Sequence, residues 1–427
     1  MILGARRMVA MALACAPVAS SWPSSAGLGV TSPVEPGVSS LAGPGAGAAG
    51  PGAIQRRDTA QNDIPAGDGS AVADNARAAR DRALAYLVET QNADGSWGQP
   101  VLAGIIEGIW HPDALYSWQM AAVSLCTMAL MSGPATDDNR AALRAGLGWL
   151  TDSDLPGRPG DWDTDHHWAG LYGFVALVEA SARRELMEGE LGEAIGRRGR
   201  EFYAMLQRGQ SVNGGWAYYD GGINEDVPIT VVPTWDTSFC TALVIPALLA
   251  APAEWGVEEQ RVARAIDYLR RCVLPDGAFA YDLNAIPALF GGLDINAIPG
   301  SLARIQVGNW ALVRAGDRSR TADVLRAGLE SFFEHHVYLD IAHQRPIPHE
   351  AHFANSGYFY YFGHYYGALV IELLPEQERA AYHARLRPHL VRYQNEPGWA
   401  CDFNHTDSLR LSSTAFLALA LSAGLEG

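Results

Sequence analysis

A short pattern that ends in glycine and an aromatic residue recurs along the chain and constrains its fold more than any other feature. The fullest copy occupies residues 91–98 and reads Gln-Asn-Ala-Asp-Gly-Ser-Trp-Gly, and less complete copies occupy 210–216, 272–279 and 394–399. Each copy follows a run of helical character and places an aromatic ring before the next such run. Motifs repeated at intervals of tens of residues are typical of repeat architectures, so the sequence predicts a repeat protein.

From about residue 72 the chain alternates between two kinds of predicted helix. One kind is amphipathic, whereas the other is apolar nearly all round, which indicates burial on every side. The amphipathic set is expected at about 72–91, 137–152, 186–209, 257–273, 318–337 and 375–394, and the apolar set at about 117–131, 165–181, 236–250, 301–315, 359–374 and 407–423. This alternation predicts an outer ring of helices around an inner ring. No segment alternates convincingly at period two, so the predicted fold class is all-α.

Two motifs resemble those of a known family. Residues 91–97 (Gln-x-x-Asp-Gly-Ser-Trp) look like the QW motif of squalene–hopene cyclases and their relatives, and residues 233–237 (Pro-Thr-Trp-Asp-Thr) look like the start of an inner helix in that family. The resemblance implies a terpenoid cyclase/prenyltransferase-like α/α toroid, closed by six inner and six outer helices per domain. Full triterpene cyclases carry two such domains, whereas residues 72–427 have room for one.

The repeated residues also have a structural interpretation. Gly95, Gly214 and Gly277 are expected to supply the positive φ of the turn after each outer helix. The aromatic residue of each copy is expected to bury area between neighbouring repeats. The glutamine that opens three of the copies is expected to bond free backbone groups at helix ends. We therefore predict that these residues brace the ring and do not touch a ligand.

Composition limits the classes of function. The formal net charge is −16, which disfavours nucleic acids and anionic membrane surfaces as partners. The chain contains no lysine, which excludes Schiff-base chemistry and amine nucleophiles. Its five cysteines are widely separated and form no Cys-x-x-Cys pair, which argues against a disulfide framework or a cysteine-rich zinc site. We predict neither a metal nor a cofactor, and the sequence leaves the oligomeric state open.

The first residues have the features of an export signal. Arg6 and Arg7 precede a short apolar run and then small residues, so 1–20 is predicted to be the signal peptide of a secreted or periplasmic protein. Cys15 lies in a lipobox-like context and is a candidate for a lipid anchor. Residues 21–71 are rich in Gly, Ala, Pro and Ser and are predicted to be a disordered linker. No later apolar run is long enough for a membrane span, so a transmembrane protein is not expected.

The residues that open the inner helices are the first candidates for chemistry, because parallel inner helices bring their N-termini to one end of a toroid. The most distinctive group of candidate residues is 161–167, which reads Asp-Trp-Asp-Thr-Asp-His-His. Class II terpene cyclases carry Asp-x-Asp-Asp, in which crowding keeps one carboxyl protonated so that it protonates an alkene. Neither overlapping stretch here completes that motif. A helix cap is the alternative interpretation of the same carboxylates.

Protein prenyltransferase β subunits share the toroid and bind zinc through an Asp, a Cys and a distant His. Asp236 matches the Asp and His405 lies in a segment that resembles that of the His, but Ser238 stands where the Cys is required, so zinc chemistry is not predicted. The catalytic candidates are Asp163, Asp165, His166, His364 and His405. The candidates for lining a ligand cavity are Trp118, His167, Trp168, Trp235, Asp236, Tyr361, Tyr365 and Tyr366.

Three functions remain open. The leading hypothesis is a secreted terpenoid cyclase/prenyltransferase-like toroid that binds a hydrophobic or isoprenoid-type ligand in its central cavity. Aromatic rings in that cavity would stabilise carbocations. The sequence leaves open whether the protein is an enzyme. The second is a non-catalytic extracellular interaction scaffold. The third is an α/α-toroid polysaccharide lyase, with Asn355, His364 and Tyr366 as charge neutraliser and acid/base groups.

Overall fold

The computed structural model describes residues 69–101, 112–157, 165–218, 233–283, 295–403 and 407–425. Within these ranges the regular structure is helical, with no strand beyond two isolated bridges, which confirms the all-α prediction. The predicted signal peptide at 1–20, with its candidate anchor Cys15, and the predicted linker up to residue 68 lie outside the described residues.

Thirteen α-helices occur in the described ranges. They are α1 (Gly69–Glu89), α2 (Pro112–Ser132), α3 (Asp137–Asp152), α4 (His167–Ser181), α5 (Gly189–Gly209), α6 (Ser238–Ala250), α7 (Glu259–Arg271), α8 (Leu302–Arg314), α9 (Ala322–Glu334), α10 (Val337–Ala342), α11 (Phe359–Ile371), α12 (Glu376–Arg392) and α13 (Asp407–Ser422). The helix α10 is a short element of the segment between α9 and α11.

The helices pack as two concentric rings. The inner helices α2, α4, α6, α8, α11 and α13 each contact the next in this order, and α13 contacts α2, so the inner ring is closed. The outer helices α1, α3, α5, α7, α9 and α12 pack against the inner ones, and α12 contacts α1. The inner helices are buried along most of their length, as in α6, where every residue from Ser238 to Leu248 is buried. This burial on all sides is what their apolar sequences predict.

Glutamine side chains link consecutive outer helices. Gln91 Nε2 donates to the Gly95 carbonyl of its own turn at 2.9 Å and to Ala142 O of α3 at 2.9 Å. Equivalent pairs of bonds join Gln210 to Gly214 O at 2.8 Å and to Arg261 O of α7 at 3.0 Å. The sequence predicted bonds to free groups at helix ends. The structure shows instead that each glutamine ties its turn to the neighbouring outer helix.

The last copy closes the ring. Gln394 Nε2 donates to Gly398 O and to Ala79 O of α1, both at 2.9 Å, so the same bridge joins the last outer helix to the first. The tryptophans of the first two full copies are anchored as well. Trp97 Nε1 donates to Leu87 O at 2.6 Å and Trp216 Nε1 donates to Leu206 O at 2.7 Å, each to the end of its own outer helix.

Glycine is required in these turns for two separable reasons. Gly95 has φ +92° and Gly277 has φ +91°, a region that L side chains rarely adopt. A Cβ at Gly95 would also overlap the Ala145 carbonyl oxygen of α3, whereas a Cβ at Gly277 would meet nothing within 4 Å. The third copy also lacks the glutamine, because Val273 stands where the other copies have it, four residues before the turn glycine.

One described helix, α2, is apolar and long enough to cross a bilayer by length and composition alone, and 94% of its most apolar window is buried inside the protein. Buried core helices of soluble proteins share these features.

The two glycines make a matched test of the close approach between repeats. Gly277→Ala should cost about 1 kcal/mol, because only the positive φ is penalised. Gly95→Ala should cost about 3 kcal/mol or more, because the new methyl group also displaces α3. Urea unfolding of both variants measures the difference. Equal losses at the two positions would contradict the proposed contact.

Candidate functional site

The start of α4 is held by a serine of α2. Ser117 Oγ donates to the carbonyl oxygens of Asp165 and His166, at 3.1 and 2.9 Å, and accepts from Ala169 N at 3.0 Å. Asp165 has φ +69°, a left-handed conformation that Asp and Asn tolerate better than most side chains. Its carboxylate contributes to raising the pKa values of Tyr358 and Cys240, after the larger effect of burial on both, so its charge acts on both side chains. The candidates Asp163 and His405 lie outside the described residues.

Two residues that were predicted to line the cavity are bonded into the turns of the repeat. The His167 ring Nδ1 contacts Ala217 O at 3.1 Å, and the His167 main-chain N donates to Tyr218 O at 3.0 Å. The Asp236 carboxylate accepts a hydrogen bond from Ser211 Oγ, and burial raises the pKa of this carboxyl. Both side chains therefore join an inner helix start to the preceding turn.

Partly exposed aromatic rings gather beside these helix starts. Trp168 stacks on Tyr218 with centroids 5.6 Å apart, and Tyr218 meets Trp235 edge to face at 5.0 Å. Tyr281 completes the group, since its hydroxyl lies 3.4 Å from that of Tyr218. We call Trp168, Tyr218, Trp235 and Tyr281 the aromatic mouth. Tyr218 and Tyr281 were not among the predicted residues, although both follow the aromatic residue of their copy by two positions, a signal that was available.

Below the mouth, rings from non-adjacent inner helices meet across the lumen. Phe239 of α6 lies 5.2 Å from Phe359 and 6.1 Å from Phe362 of α11, and Tyr172 of α4 lies 6.0 Å from Phe416 of α13. We call these five residues the aromatic column. Centroid separations of this size are those of aromatic rings in contact, so the column fills the lumen at this level.

The remaining cavity candidates divide between two sides of the inner ring. Tyr365 and Tyr366 belong to the lumen, since Tyr365 lies 5.7 Å from Phe416 and Tyr366 lies 4.7 Å from Phe362. Tyr361 faces the outer layer, with its ring 5.1 Å from Tyr360. Trp118 is buried in α2.

His364 lies on the outer side of α11, away from Asp165 and His166. Its Nε2 is 3.0 Å from His336 Nε2, and its Nδ1 is 2.7 Å from Tyr360 O. His336 Nδ1 in turn lies 3.1 Å from Asp340 Oδ2. His343 and His389 pack beside this chain of contacts, and the four histidines form a histidine cluster between α11 and the outer helices. Among the described residues no group of His, Cys, Asp or Glu has the geometry to hold a metal ion.

The three residues expected of a lyase are likewise apart. Asn355 Nδ2 donates to Pro299 O at 2.8 Å, which fixes it in the loop before α11. His364 and Tyr366 are two residues apart on one helix and point to the outer layer and to the lumen, respectively. The described residues therefore do not assemble this set into one site.

Two carboxyls with raised pKa values were not among the predicted site residues. Asp402 accepts from Ser413 Oγ at 2.6 Å and from Tyr361 N at 3.3 Å, and burial raises its pKa to about 6. Glu179 of α4 is partly exposed, and burial raises its pKa to about 7, an effect that the nearby Arg183 opposes. A single Glu in an apolar helix gives no sequence signal that distinguishes a lumen position from a surface one.

A hydrogen-bonded pair, Tyr358 and His349, lies beside the mouth, with the His349 ring 5.5 Å from that of Tyr281. Tyr358 Oη is 2.9 Å from His349 Nε2, and His349 Nδ1 is 2.7 Å from Ala354 O. Burial lowers the pKa of His349 to about 4, so its ring is neutral near pH 7. Nδ1 then carries the proton that it donates to Ala354 O, and Nε2 accepts from the Tyr358 hydroxyl.

Outside the ring, the first turn borders a surface cleft of about 570 Å³. Three carboxylates line it, those of Asp94, Asp152 and Asp154, together with the rings of Tyr116 and Trp149. The cleft is acidic and open, so it lacks the apolar enclosure that an isoprenoid ligand requires.

No family model matches the chain. In sequence it is similar to squalene–hopene cyclase from Alicyclobacillus acidocaldarius, at 26% identity over 255 residues, which is 48% of this chain and 39% of the relative. The chain thus aligns with less than half the length of that relative. This match, together with the ring of helices, confirms the predicted resemblance to the squalene-cyclase type of α/α toroid.

Solved structures that are similar include the type II terpene cyclase MstE from Scytonema, with a TM-score of 0.46 and 15% identity over 82% of this chain and 98% of that one. The GH76A alpha-1,6-mannanase from Salegentibacter sp. HEL1_6 has a TM-score of 0.48 and 12% identity, over 83% of this chain and 100% of that one.

The histidine cluster makes stability depend on pH. Burial lowers the pKa of His343 to about 4, and its ring stacks on Tyr393 with centroids 4.2 Å apart. The unfolded chain therefore binds this proton first as the pH falls, so stability is lost from about pH 6.5 down to about pH 4. His343→Phe keeps the stacking and removes this loss. The free energy of unfolding of the variant minus that of wild type should therefore increase by about 1–2 kcal/mol as the pH falls from about 7.5 to about 4.5. Urea titrations measure it, and a constant difference across that range would contradict the assignment.

Proposed function

We propose that the protein is a secreted or periplasmic toroid that binds a hydrophobic ligand of isoprenoid type in its lumen. The observation that carries the proposal is the aromatic lining. Rings from α4, α6, α11 and α13 face one another inside the ring of helices, and the partly exposed mouth leads to them. Export is supported by the basic and apolar pattern of residues 6–15.

An apolar chain suits this lining for a physical reason. The column rings contact one another, so binding requires them to separate and to exchange ring–ring contacts for ring–ligand contacts. A ligand with polar groups along its length would lose the hydration of those groups in the aromatic column and would gain no hydrogen bonds in return. An unsaturated hydrocarbon chain has no polar groups to lose hydration, and it makes favourable contacts with the faces of the aromatic rings.

Catalysis is proposed at the mouth, where Asp165 lies two residues before the start of α4 and three before Trp168. A carboxyl there would act on an alkene that the aromatic rings hold, and the same rings would stabilise the resulting cation. Asp163 and His405 are proposed as its neighbours on the basis of sequence alone. The squalene–hopene cyclase similarity supports this reaction class over the scaffold alternative.

The non-catalytic scaffold keeps one observation in its favour. The column rings already pack against one another without a ligand, as they would in a protein whose lumen is simply core. Binding without turnover, or no binding at all, would favour this alternative.

Ligand binding is tested at the mouth. A polyprene such as squalene should raise the melting temperature of wild type, because it binds only the folded protein. Trp168→Ala should weaken binding about tenfold, since it removes a large apolar face. Trp149→Ala is the matched control, because this equally half-buried tryptophan lies in the outer cleft and its loss should leave binding unchanged. Equal effects of the two substitutions would count against the proposed site.

Two substitutions at Asp165 separate chemistry from backbone strain. Asp165→Asn retains a side chain that tolerates φ +69°, so stability should stay within about 0.5 kcal/mol of wild type while polyprene turnover falls at least about a hundredfold. Asp165→Ala should lose the same turnover and in addition about 1 kcal/mol of stability. Product analysis and urea unfolding measure the two effects. Full turnover by Asp165→Asn would exclude this carboxyl as the acid.

A further inference from the structure

The lumen holds a group of polar side chains below the aromatic mouth. Trp168, Tyr172 and Glu179 share one face of α4, because they are spaced by four and seven residues. Trp168 stacks on Tyr172 with centroids 5.7 Å apart, which places this face toward the lumen. Glu179 lies about two turns further along, near the C-terminal end of the inner ring.

Tyrosines of α11 lie next to this face. Burial, and then the negative charge of Glu179, raise the pKa of both Tyr365 and Tyr366. The same two tyrosines contribute to raising the pKa of Tyr172, after burial. Ring contacts place the three tyrosines together, since Tyr172 and Tyr365 both contact Phe416, at 6.0 and 5.7 Å, and Tyr365 lies 4.9 Å from Tyr366.

The hydrogen-bonding capacity of this group is unused. Tyr172, Tyr365 and Tyr366 are only 6%, 7% and 3% exposed. Within the ranges that the structure describes, neither their hydroxyls nor the Glu179 carboxylate has a hydrogen-bond partner. The three hydroxyl oxygens keep accessible surface, so they border open space in the lumen. Three such hydroxyls and a carboxylate around one space indicate a site that a polar group from outside occupies.

The surroundings define the shape of that molecule. Apolar rings border the four groups: Tyr366 lies 5.2 Å from Trp310, and Tyr365 lies 5.7 Å from Phe416. Glu179 and the partly exposed Trp310 and Leu369 keep accessible surface, so the site is open to a small molecule. About three helical turns, roughly 16 Å, separate Trp168 from Glu179, which matches an extended chain of a few isoprene units.

Charge then excludes part of the ligand class. The group contains a carboxylate, that of Glu179. Arg183, whose charge acts on Glu179, is held by a hydrogen bond from its Nη2 to Met131 O at 2.7 Å. A diphosphate or carboxylate headgroup would therefore meet the negative charge of Glu179, which Arg183 offsets only in part.

We propose that Glu179, together with Tyr172, Tyr365 and Tyr366, binds the hydroxyl headgroup of an isoprenoid alcohol whose chain lies along the aromatic column. The alcohol donates its proton to the Glu179 carboxylate and accepts from a tyrosine hydroxyl. This inference rests on the proposed function, since it names the ligand class of the same lumen.

The test compares three ligands of equal chain length: farnesol, farnesyl diphosphate and the hydrocarbon farnesene. Titration of the intrinsic tryptophan fluorescence measures each affinity. Farnesol should bind about tenfold more tightly than farnesene, because it satisfies buried polar groups, and at least about tenfold more tightly than the diphosphate.

Variants then locate the headgroup. Glu179→Gln should weaken the binding of farnesol about tenfold and leave the affinity for farnesene within about twofold of that of wild type. Tyr366→Phe, which removes one oxygen atom and keeps the ring, should act in the same direction. The controls are Glu193→Gln on the exposed side of α5 and Tyr338→Phe in α10, which should leave all three affinities unchanged.

The outcomes are distinguishable. The headgroup site would be overturned if farnesene bound as tightly as farnesol and neither affinity changed in Glu179→Gln. That result would leave the proposed hydrophobic lumen standing. Preference for the diphosphate would overturn it as well. If none of the three ligands binds, both the headgroup site and the proposed function fail.

Discussion

Bonds from glutamine amides to the neighbouring outer helix hold this ring together, and the rest of the structure depends on them. Each Nε2 donates to the carbonyl of its own turn and to one in the next outer helix, and Gln394 repeats the bond back to α1. Short polar contacts therefore set the spacing at these three junctions between outer helices, and the apolar inner helices fill the circle inside. Outer and inner helices alternate along the chain, so the inner helix starts gather at one end.

The third copy shows how the ring tolerates the loss of this bond. Val273 replaces the glutamine, yet the turn keeps its main-chain hydrogen bond from Leu274 N to Ala278 O at 2.8 Å. Ser301 Oγ donates to Phe279 O at 2.9 Å, as Thr241 Oγ1 does to Trp216 O in the second copy, and Arg304 Nε adds a further bond to Phe279 O at 3.1 Å. Burial lowers the pKa of Arg304 to about 10, so the guanidinium remains charged at neutral pH. A positive charge is thus fixed under the mouth, 5.4 Å from the Tyr281 ring.

The fold was predictable because it follows from periodicity, whereas the site was only partly so. Amphipathic and fully apolar helices alternate in the sequence, and burial forces the apolar ones inward. An inner helix, however, is buried on two faces, one toward the lumen and one toward the outer layer. Apolar periodicity does not separate these faces, so His364 and Tyr366 looked equivalent in sequence. Only the packing of α11 against α9 and α12 assigns His364 to the histidine cluster and Tyr366 to the lumen.

The two faces also differ in how their polar groups are satisfied, and this difference indicates where a ligand belongs. On the outer face, His364, His336 and Asp340 bond to one another in a chain that ends at Tyr393 Oη, 3.3 Å from Asp340. This network rigidifies the layer, although His343 Nε2 and the Tyr361 hydroxyl beside it are buried without a hydrogen-bond partner. On the lumen face, the tyrosine hydroxyls around Glu179 have no partner within the described residues and keep accessible surface. The lumen side therefore has room for a bound molecule that supplies the missing hydrogen bonds, whereas the enclosed outer side does not.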